Sequence, residues 1–291
     1  MTGRYSLDPA MPVLLRPDDA VQIGWDPRRA VLVTPPRGMT PATLVGLLRA
    51  LRDNAALDEL TAQAARHGPV DAADIAGLLT ALVDARVVAA TRGSRRTGTR
   101  RAAAVRVHGT GPLSDLLVET LRCSGARISH SSHPHAVVRR ERTDLVVLAD
   151  SLVADPRLVR ELQQAGVAHL PVRVRDGAGL IGPLVIPGVT SCLHCADLHR
   201  CDRDAAWPAL AAQLRDTVGT ADRPTVLATA ALALGQVDAV IRAVHGDPDP
   251  ACGGPAPGPP ATLSTTLEFD VRRGAITTRR WPPHPLCGCR G

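Results

Sequence analysis

The chain has 291 residues, 45% of them apolar, and a formal net charge of +6, which suffices for two ordinary domains with buried cores. The start shows no signal-peptide pattern, and no segment approaches the roughly 20 uninterrupted apolar residues of a bilayer span, so we expect a cytoplasmic protein without a membrane partner. All 34 basic residues are Arg, which excludes any mechanism that needs a lysine amine.

The first 91 residues predict a small winged-helix-like α+β domain. Three strand-like runs separated by turn signals predict an antiparallel meander, and three helical segments follow. The runs lie at 13–15, 21–24 and 30–33. The helices are expected at 40–53, 57–68 and 71–85, the first with Thr40 as its N-cap and Pro41 in its first turn.

Winged helices often bind DNA through the third helix, so this function has to be weighed. Asp71, Asp74 and Asp84 lie on the exposed side of that helix and would repel the phosphate backbone. An Arg-rich stretch at 92–102 could tether nucleic acid, but its interleaved Gly, Ser and Thr are typical of a solvated linker. We therefore expect a linker there, and binding of a peptide by the N-terminal domain in preference to nucleic acid.

From residue 103 to 291 the pattern changes to alternating strands and helices. This alternation predicts an α/β domain with a Rossmann-like, doubly wound and mainly parallel sheet. The strand runs lie at 103–107, 126–131, 143–149 and 168–175. The tail adds a long apolar helix at 224–246, expected to be buried on all sides, and a hairpin between 262 and 281.

Two close cysteine pairs predict a structural zinc site in this second domain. Cys192 and Cys195 are spaced so that both thiolates reach one ion, and Cys287 and Cys289 offer a second pair around a Gly that permits a tight bend. Four thiolates complete a tetrahedral Zn²⁺ and leave no position for water, so the site would be structural. A redox CxxC, a disulfide and unpaired buried thiols are the competing interpretations.

A glycine loop, HGTGPLS, lies between the first strand and helix of this domain. Gly109 and Gly111 would let the backbone approach a phosphate at the helix N-terminus. Pro112 removes one amide donor, Ser114 stands at the position of a third glycine, and the next strand ends without an acidic residue for a ribose. Asp150, at the end of the third strand, either holds Mg²⁺ or is an N-cap.

The segment GPLVIPGVTSCLHCADLHRCDRDAAWPALAAQL and the ending WPPHPLCGC resemble the ThiF-like proteins of thiazole/oxazole-modified peptide biosynthesis. These belong to the superfamily of ubiquitin-activating and MoeB-type adenylating enzymes. The segment PVLLRPDDAVQIGWDPRRAVLV and its three helices resemble the front of those proteins, where a winged-helix module recognises precursor leader peptides. The resemblance covers nearly the whole chain and implies two partners, a leader peptide and a YcaO-type cyclodehydratase.

The resemblance also shows which parts of the adenylating chemistry are missing. Adenylating members use ATP with a full glycine loop, an acidic ribose ligand, an Asn-x-x-Arg element, a Lys and an Mg²⁺-binding Asp. Only Asp150 has a clear counterpart here, since the sole Asn is Asn54 and the chain has no Lys. We therefore expect a non-adenylating protein that presents the leader peptide, with ATP and Mg²⁺ disfavoured. An active ATP-dependent adenylyltransferase acting on a peptide or carrier-protein C-terminus is the alternative.

A leader peptide could add as an extended strand beside residues 29–33 and lay apolar side chains against the third helix. The predicted contacts are Arg29, Val31, Val33, Leu79, Leu82 and Val83. The alternative is that these residues form the core of the domain itself. Whether the protein forms a homodimer is left open by the sequence.

Overall fold

The computed structural model describes residues 3–92, 101–133, 143–245 and 259–290. The chain divides into two compact units, one with the described residues up to 92 and the other with those from 101 onward. Most of the predicted linker, residues 93–100, lies outside the described residues. Each unit has its own hydrophobic core.

The predicted meander of the first unit is confirmed. Its strands β2 (Val13–Leu15), β3 (Val21–Ile23) and β4 (Val31–Val33) pair antiparallel in chain order. Alternate side chains point to the core, so Val21 and Ile23 of the central strand are fully buried while Gln22 between them is only partly buried.

A second antiparallel sheet in this unit was not predicted. Strand β1 (Gly3–Leu7) lies between β5 (Ala55–Ala56) and β6 (Val88–Arg92). The two residues of β5 are too few to show a strand period, and β6 directly follows a helix, so the sequence pattern gave no signal for either.

The three predicted helices of the first unit are confirmed. They are α1 (Pro41–Ala50), α2 (Leu57–Ala65) and α3 (Ala72–Asp84). Thr40 Oγ1 accepts a hydrogen bond from the N–H of Thr43 at 3.2 Å, and the Asp71 carboxylate accepts one from the N–H of Ala73 at 3.0 Å, so both helices begin at capped residues. Helix α1 packs on β2 and β3, whereas α3 packs on α2 and β6.

A seven-stranded sheet is the frame of the second unit. Its strands are β7 (Ala104–His108), β8 (Arg127–Ser131), β9 (Leu145–Ala149), β10 (Ala168–Arg175), β11 (Ala178–Ile181), β12 (Thr265–Asp270) and β13 (Ala275–Arg280). In space their order is β13-β12-β11-β10-β9-β7-β8. The four strands from β10 to β8 are parallel, and the three from β11 to β13 add antiparallel.

Helices cover both faces of the parallel strands. Helices α4 (Pro112–Leu121) and α8 (Arg223–His245) pack on one face, and α5 (Pro156–Gln164) packs on the other. In β9, Leu145 and Val147 face the core shared with α4 and α8, while Val146 and Leu148 face α5. Two further helices, α6 (Leu193–Cys201) and α7 (Trp207–Leu214), contact each other and were not predicted.

The prediction of a mainly parallel sheet is wrong, because in the described sheet antiparallel pairings are as many as parallel ones. The chain leaves β10 through a two-residue turn and not through a helical crossover. Asp176 and Gly177 form this turn with positive φ values of 52° and 78°, the backbone that a tight hairpin requires. The Asp-Gly pair is a hairpin signal that the sequence analysis passed over.

Helix α8 was expected to be buried on all sides, and this expectation is also wrong. Only one stripe is buried, including Ala230, Ala233 and Val237, whereas Leu227 is 44% exposed. By length and composition α8 is the one described helix that could cross a membrane. Its buried stripe packs against α4, β10 and β11, which is the place of a core helix.

A buried histidine in β10 makes the stability of this unit depend on pH. His169 is fully buried, its Nδ1 lies 3.0 Å from the carbonyl oxygen of Val167, and within the described residues its Nε2 has no hydrogen-bond partner. Burial lowers the pKa of His169 from its ordinary 6.5 to about 4. Between these values the unfolded chain binds a proton that the folded chain does not, so stability is lost as the pH falls.

We expect acidification from pH 7 to pH 4 to lower the free energy of unfolding by about 3 kcal/mol through His169, since each pKa unit corresponds to about 1.4 kcal/mol. Urea unfolding of the wild type and of His169→Leu across this range measures the effect as the difference in their pH slopes. His133→Gln, at an exposed histidine of the same unit, is the control. Equal slopes in His169→Leu and the wild type would contradict the prediction.

Candidate functional site

The four cysteines of the two predicted pairs come together in the second unit. Cys192 is the N-cap of α6 and Cys195 lies in its first turn, while Cys287 and Cys289 follow β13. The Sγ–Sγ distance is 3.8 Å between Cys192 and Cys195, 3.5 Å between Cys192 and Cys287, and 3.5 Å between Cys195 and Cys289. Sulfurs at about 2.3 Å from a tetrahedral Zn²⁺ are about 3.8 Å apart. The cluster could therefore hold one metal ion.

The electrostatics of the cluster favour a cation at its centre. Cys192 and Cys195 are buried, and Cys287 and Cys289 are partly buried. Burial raises the pKa of the Cys192 and Cys287 thiols. Burial acts in the same direction on Cys195, but backbone hydrogen bonds at His284 and Cys192 outweigh it, and its pKa is lowered. Several thiolates so close together ionise only with a positive charge between them.

Hydrogen bonds fasten the C-terminal segment to the α6 region and so position the second cysteine pair. Ser191 Oγ donates to the carbonyl oxygen of Trp281 at 2.6 Å. The N–H of Leu286 donates to His284 Nδ1 at 3.1 Å, so Nε2 carries the proton and donates to Asp202 Oδ2 at 2.9 Å. Both ring nitrogens of His284 are thus engaged. Ser191 and Asp202 lie in the segment that carries the family resemblance, but the sequence pattern gave no signal for their contacts with Trp281 and His284.

The glycine loop binds a carboxylate of the chain itself. Asp150 follows β9 and is 1% exposed. Its Oδ1 accepts a hydrogen bond from the N–H of Leu113 at 2.9 Å, and its Oδ2 accepts one from the N–H of Ser114 at 3.2 Å. These amides belong to the first turn of α4, where a nucleotide-binding fold would receive a phosphate. Asp150 is therefore a helix cap, but the helix it caps is α4, which lies earlier in the chain. Ser114 precedes Asp150 by 36 residues.

The two glycines of the loop leave room for this carboxylate. A Cβ atom on Gly109 would lie 2.5 Å from the carbonyl oxygen of Ala149, and one on Gly111 would lie 2.8 Å from Cγ of Asp150. Any side chain at either position would overlap with these atoms. Both glycines are thus explained by close packing against the end of β9.

The ends of β7 and β8 carry basic and hydroxyl side chains in place of an acidic ribose ligand. His130 Nε2 lies 2.9 Å from the carbonyl oxygen of Gly109. Ser131 Oγ lies 2.7 Å from Nε of Arg106 and 3.0 Å from Nδ1 of His108. Burial lowers the pKa of His108, and the positive charge of Arg106 adds to this effect. Such an environment does not favour the hydroxyl pair of a ribose, which an acidic side chain usually binds.

The predicted peptide contacts of the first unit are mostly packed inside it. Three of them are buried core residues, Val33, Leu79 and Leu82. Val31 and Val83 are partly buried against the same core, and Arg29 is exposed. The side chains available to a ligand are thus fewer than the sequence indicated.

The backbone of β4 has one unpaired edge within the described residues, here called the β4 edge. The N–H of Gly24 donates to the carbonyl oxygen of Pro12 at 2.8 Å, and the N–H of Arg16 donates to the carbonyl oxygen of Ala20 at 3.0 Å. Gln22 lies midway along β3, so its own N–H and C=O also form hydrogen bonds with β2. The N–H and C=O groups of its two neighbours in β3 point the other way and form hydrogen bonds with Val31 and Val33. Because pairing alternates along a strand, the N–H and C=O of Leu32 point to the free edge.

No protein-family model matches the chain, and no curated protein matches it in sequence. Solved structures share its fold. The heterocyclase TruD matches with a TM-score of 0.67 and 15% identity over 99% of this chain and 43% of its own. E. coli MccB with ATP matches with a TM-score of 0.58 and 12% identity, over 99% of this chain and 100% of its own. The microcin C7 biosynthetic enzyme MccB with N-formylated MccA matches with a TM-score of 0.60 and 12% identity, again over 99% of this chain and 100% of its own. At such identities the likeness concerns the fold, and the chain spans less than half of the TruD chain.

Proposed function

We propose that this chain binds the leader peptide of a ribosomally made precursor and presents it to a YcaO-type cyclodehydratase in azole or azoline biosynthesis, without adenylating it. The fold shared with a heterocyclase and with a microcin biosynthetic enzyme supports a place in peptide modification. The β4 edge is the observation that carries the peptide-binding role.

An extended peptide can add to the β4 edge through main-chain hydrogen bonds, which give affinity with little demand on sequence. Leu32 offers both a donor and an acceptor there. Two exposed apolar side chains lie on the outer face of the meander, Leu32 on β4 itself at 58% exposure and Leu14 on β2 at 38%. Such side chains can contact the alternate residues of an added strand and supply selectivity.

We interpret residues 1–91 as the peptide-recognition domain with a winged-helix-like arrangement. The elements α1, β5, α2, α3 and β6 follow one another as helix, strand, helix, helix and strand, which is the connectivity of that arrangement. We interpret residues 103–291 as a Rossmann-like, ThiF-like domain closed by structural Zn²⁺ at the four cysteines.

The Asp150 carboxylate supports a role without adenylation. It already accepts the two amide hydrogens that a phosphate would use, and each of its oxygens is hydrogen-bonded to α4. A nucleotide would have to displace it, and a Mg²⁺ ion would compete with the same amides for its charge. Pyrophosphate exchange in the presence of ATP and Mg²⁺ would favour the adenylyltransferase instead.

We expect Leu32→Pro to weaken binding of the precursor peptide at least about tenfold, since proline removes the one N–H that points to the β4 edge. The bonds of β4 to β3 use Val31 and Val33 and stay intact, and proline is tolerated on an outward-facing edge position. Fluorescence anisotropy with a labelled precursor peptide measures the change.

Leu32→Ala is the matched control, because it removes the same side chain and keeps the N–H. A tenfold loss in Leu32→Pro with a small change in Leu32→Ala identifies main-chain recognition. Unchanged binding by Leu32→Pro, or no binding of the precursor by the wild type, would refute the proposed function.

A further inference from the structure

A cavity of about 820 Å³ lies beyond the carboxyl ends of β9 and β10, on the α5 face of the sheet. Helices α5, α6 and α7 and the cysteine cluster surround it. Its wall is mainly apolar and includes Leu152, Val159, Leu193 and Trp207. Cavities of this size and position bind small molecules in α/β folds. The glycine loop and Asp150 do not line it, so it is separate from the helix terminus that would hold a phosphate.

Arg173 lies in the wall of this cavity, which is net positive because five arginines and two aspartates line it. Two neighbouring arginines in the wall are paired, Arg175 with Asp176 and Glu268, and Arg200 with Asp197 at 2.8 Å. Among the described ion pairs Arg173 has none. Burial lowers the pKa of Arg173 to about 10, and the charges of Arg200 and Arg175 add to this effect, whereas the charge of Asp197 opposes it. The guanidinium is still protonated at neutral pH, and the Asp197 carboxylate that attracts it is already paired with Arg200.

The cavity thus combines a charged donor with a large apolar wall. We propose that this cavity binds a carboxylate attached to an acyl chain, with the carboxylate on Arg173 and the acyl chain against the apolar wall. A guanidinium pairs with a carboxylate through two parallel hydrogen bonds. An acyl chain fills apolar volume that the guanidinium cannot use.

Isothermal titration of the full-length, zinc-loaded protein with N-octanoylglycine tests the proposal. We expect saturable binding, weakened about tenfold or more when the carboxylate is replaced by a primary amide, because a hydrogen bond to a charged group is then lost. Pentaglycine carries a carboxylate and amide N–H groups without an acyl chain, and it should bind at least about tenfold more weakly. These arms use the wild type and so do not depend on a variant that folds.

Arg173→Gln should weaken binding of N-octanoylglycine by a similar factor, while Arg122→Gln, at an exposed arginine after α4, should leave it unchanged. The proposal is overturned if N-octanoylglycine does not bind. It is also overturned if the amide or pentaglycine binds equally well, or if folded Arg173→Gln binds like the wild type.

Discussion

In a Cys287→Ser variant we expect bound zinc to fall from stoichiometric amounts to nearly none, and the second unit to lose its cooperative thermal transition. Serine removes one of the four sulfurs that lie within 4.8 Å of one another. A structural Zn²⁺ site contributes about 10–16 kcal/mol of binding free energy at neutral pH, which matches or exceeds the whole stability of a typical domain. Without the ion, the buried Cys192 thiol, whose pKa burial raises, remains at the centre of the cluster.

Elemental analysis of the purified protein gives the zinc content, and calorimetry gives the transition. Cys201→Ser is the matched control, because Cys201 lies at the end of the same helix, α6, but outside the group of four. It should keep both the zinc and the transition. Zinc that persists in Cys287→Ser, or a wild type that carries no zinc, would show that the cysteines are not the ligands.

An Asp150→Ala variant is expected to lose about 3–5 kcal/mol of unfolding free energy. The substitution removes two hydrogen bonds to a charged acceptor, each contributing about 1.5–3 kcal/mol, and leaves the first-turn amides of α4 buried without a partner. Asp150→Asn should lose about half as much unfolding free energy, because its single amide oxygen replaces two carboxylate oxygens and can accept only part of the two hydrogen bonds from α4. Urea unfolding of both variants and the wild type gives the free energies.

Asp155→Ala is the control for this series. The Asp155 carboxylate caps α5 through one exposed hydrogen bond to the N–H of Arg157 at 2.9 Å, so its loss should cost only about 1 kcal/mol. If Asp150→Ala is as stable as the wild type and loses a pyrophosphate-exchange activity, Asp150 serves a nucleotide and the proposed role is wrong.

The helices and the meander of the first unit could be predicted because their signals are local. Thr40 and Asp71 are caps that the sequence displays directly, and β2 to β4 lie between turn signals. The strand β1 could not be predicted, since it is defined by pairing with β6, more than 80 residues away. The antiparallel pairing of β11 with β10, by contrast, has a local signal in the Asp176-Gly177 turn, but the pairing of β12 with β11 has none, because more than 80 residues separate these strands.

For the candidate site, the four cysteines could be predicted from the sequence, but the residues that surround them could not. Cysteine spacing alone indicates a metal cluster, and the resemblance built on the segments around them is confirmed in fold. The sequence could not show that Asp150 reaches back to α4, because a strand-end carboxylate looks the same in either role. The free N–H of Leu32 could not be predicted either, because it depends on which residues of β3 form hydrogen bonds with β2.

The two cysteine pairs are 94 and 95 residues apart, and this separation has a consequence for synthesis on the ribosome. At about 5–20 residues per second, Cys192 and Cys195 are synthesised about 5–20 s before their partners. During that interval α7, α8 and the β12–β13 hairpin are being made, and the first pair is an open, two-thiolate chelate. The nascent chain is then most exposed to oxidation or capture of a wrong metal, and this vulnerability ends only when Cys289 arrives.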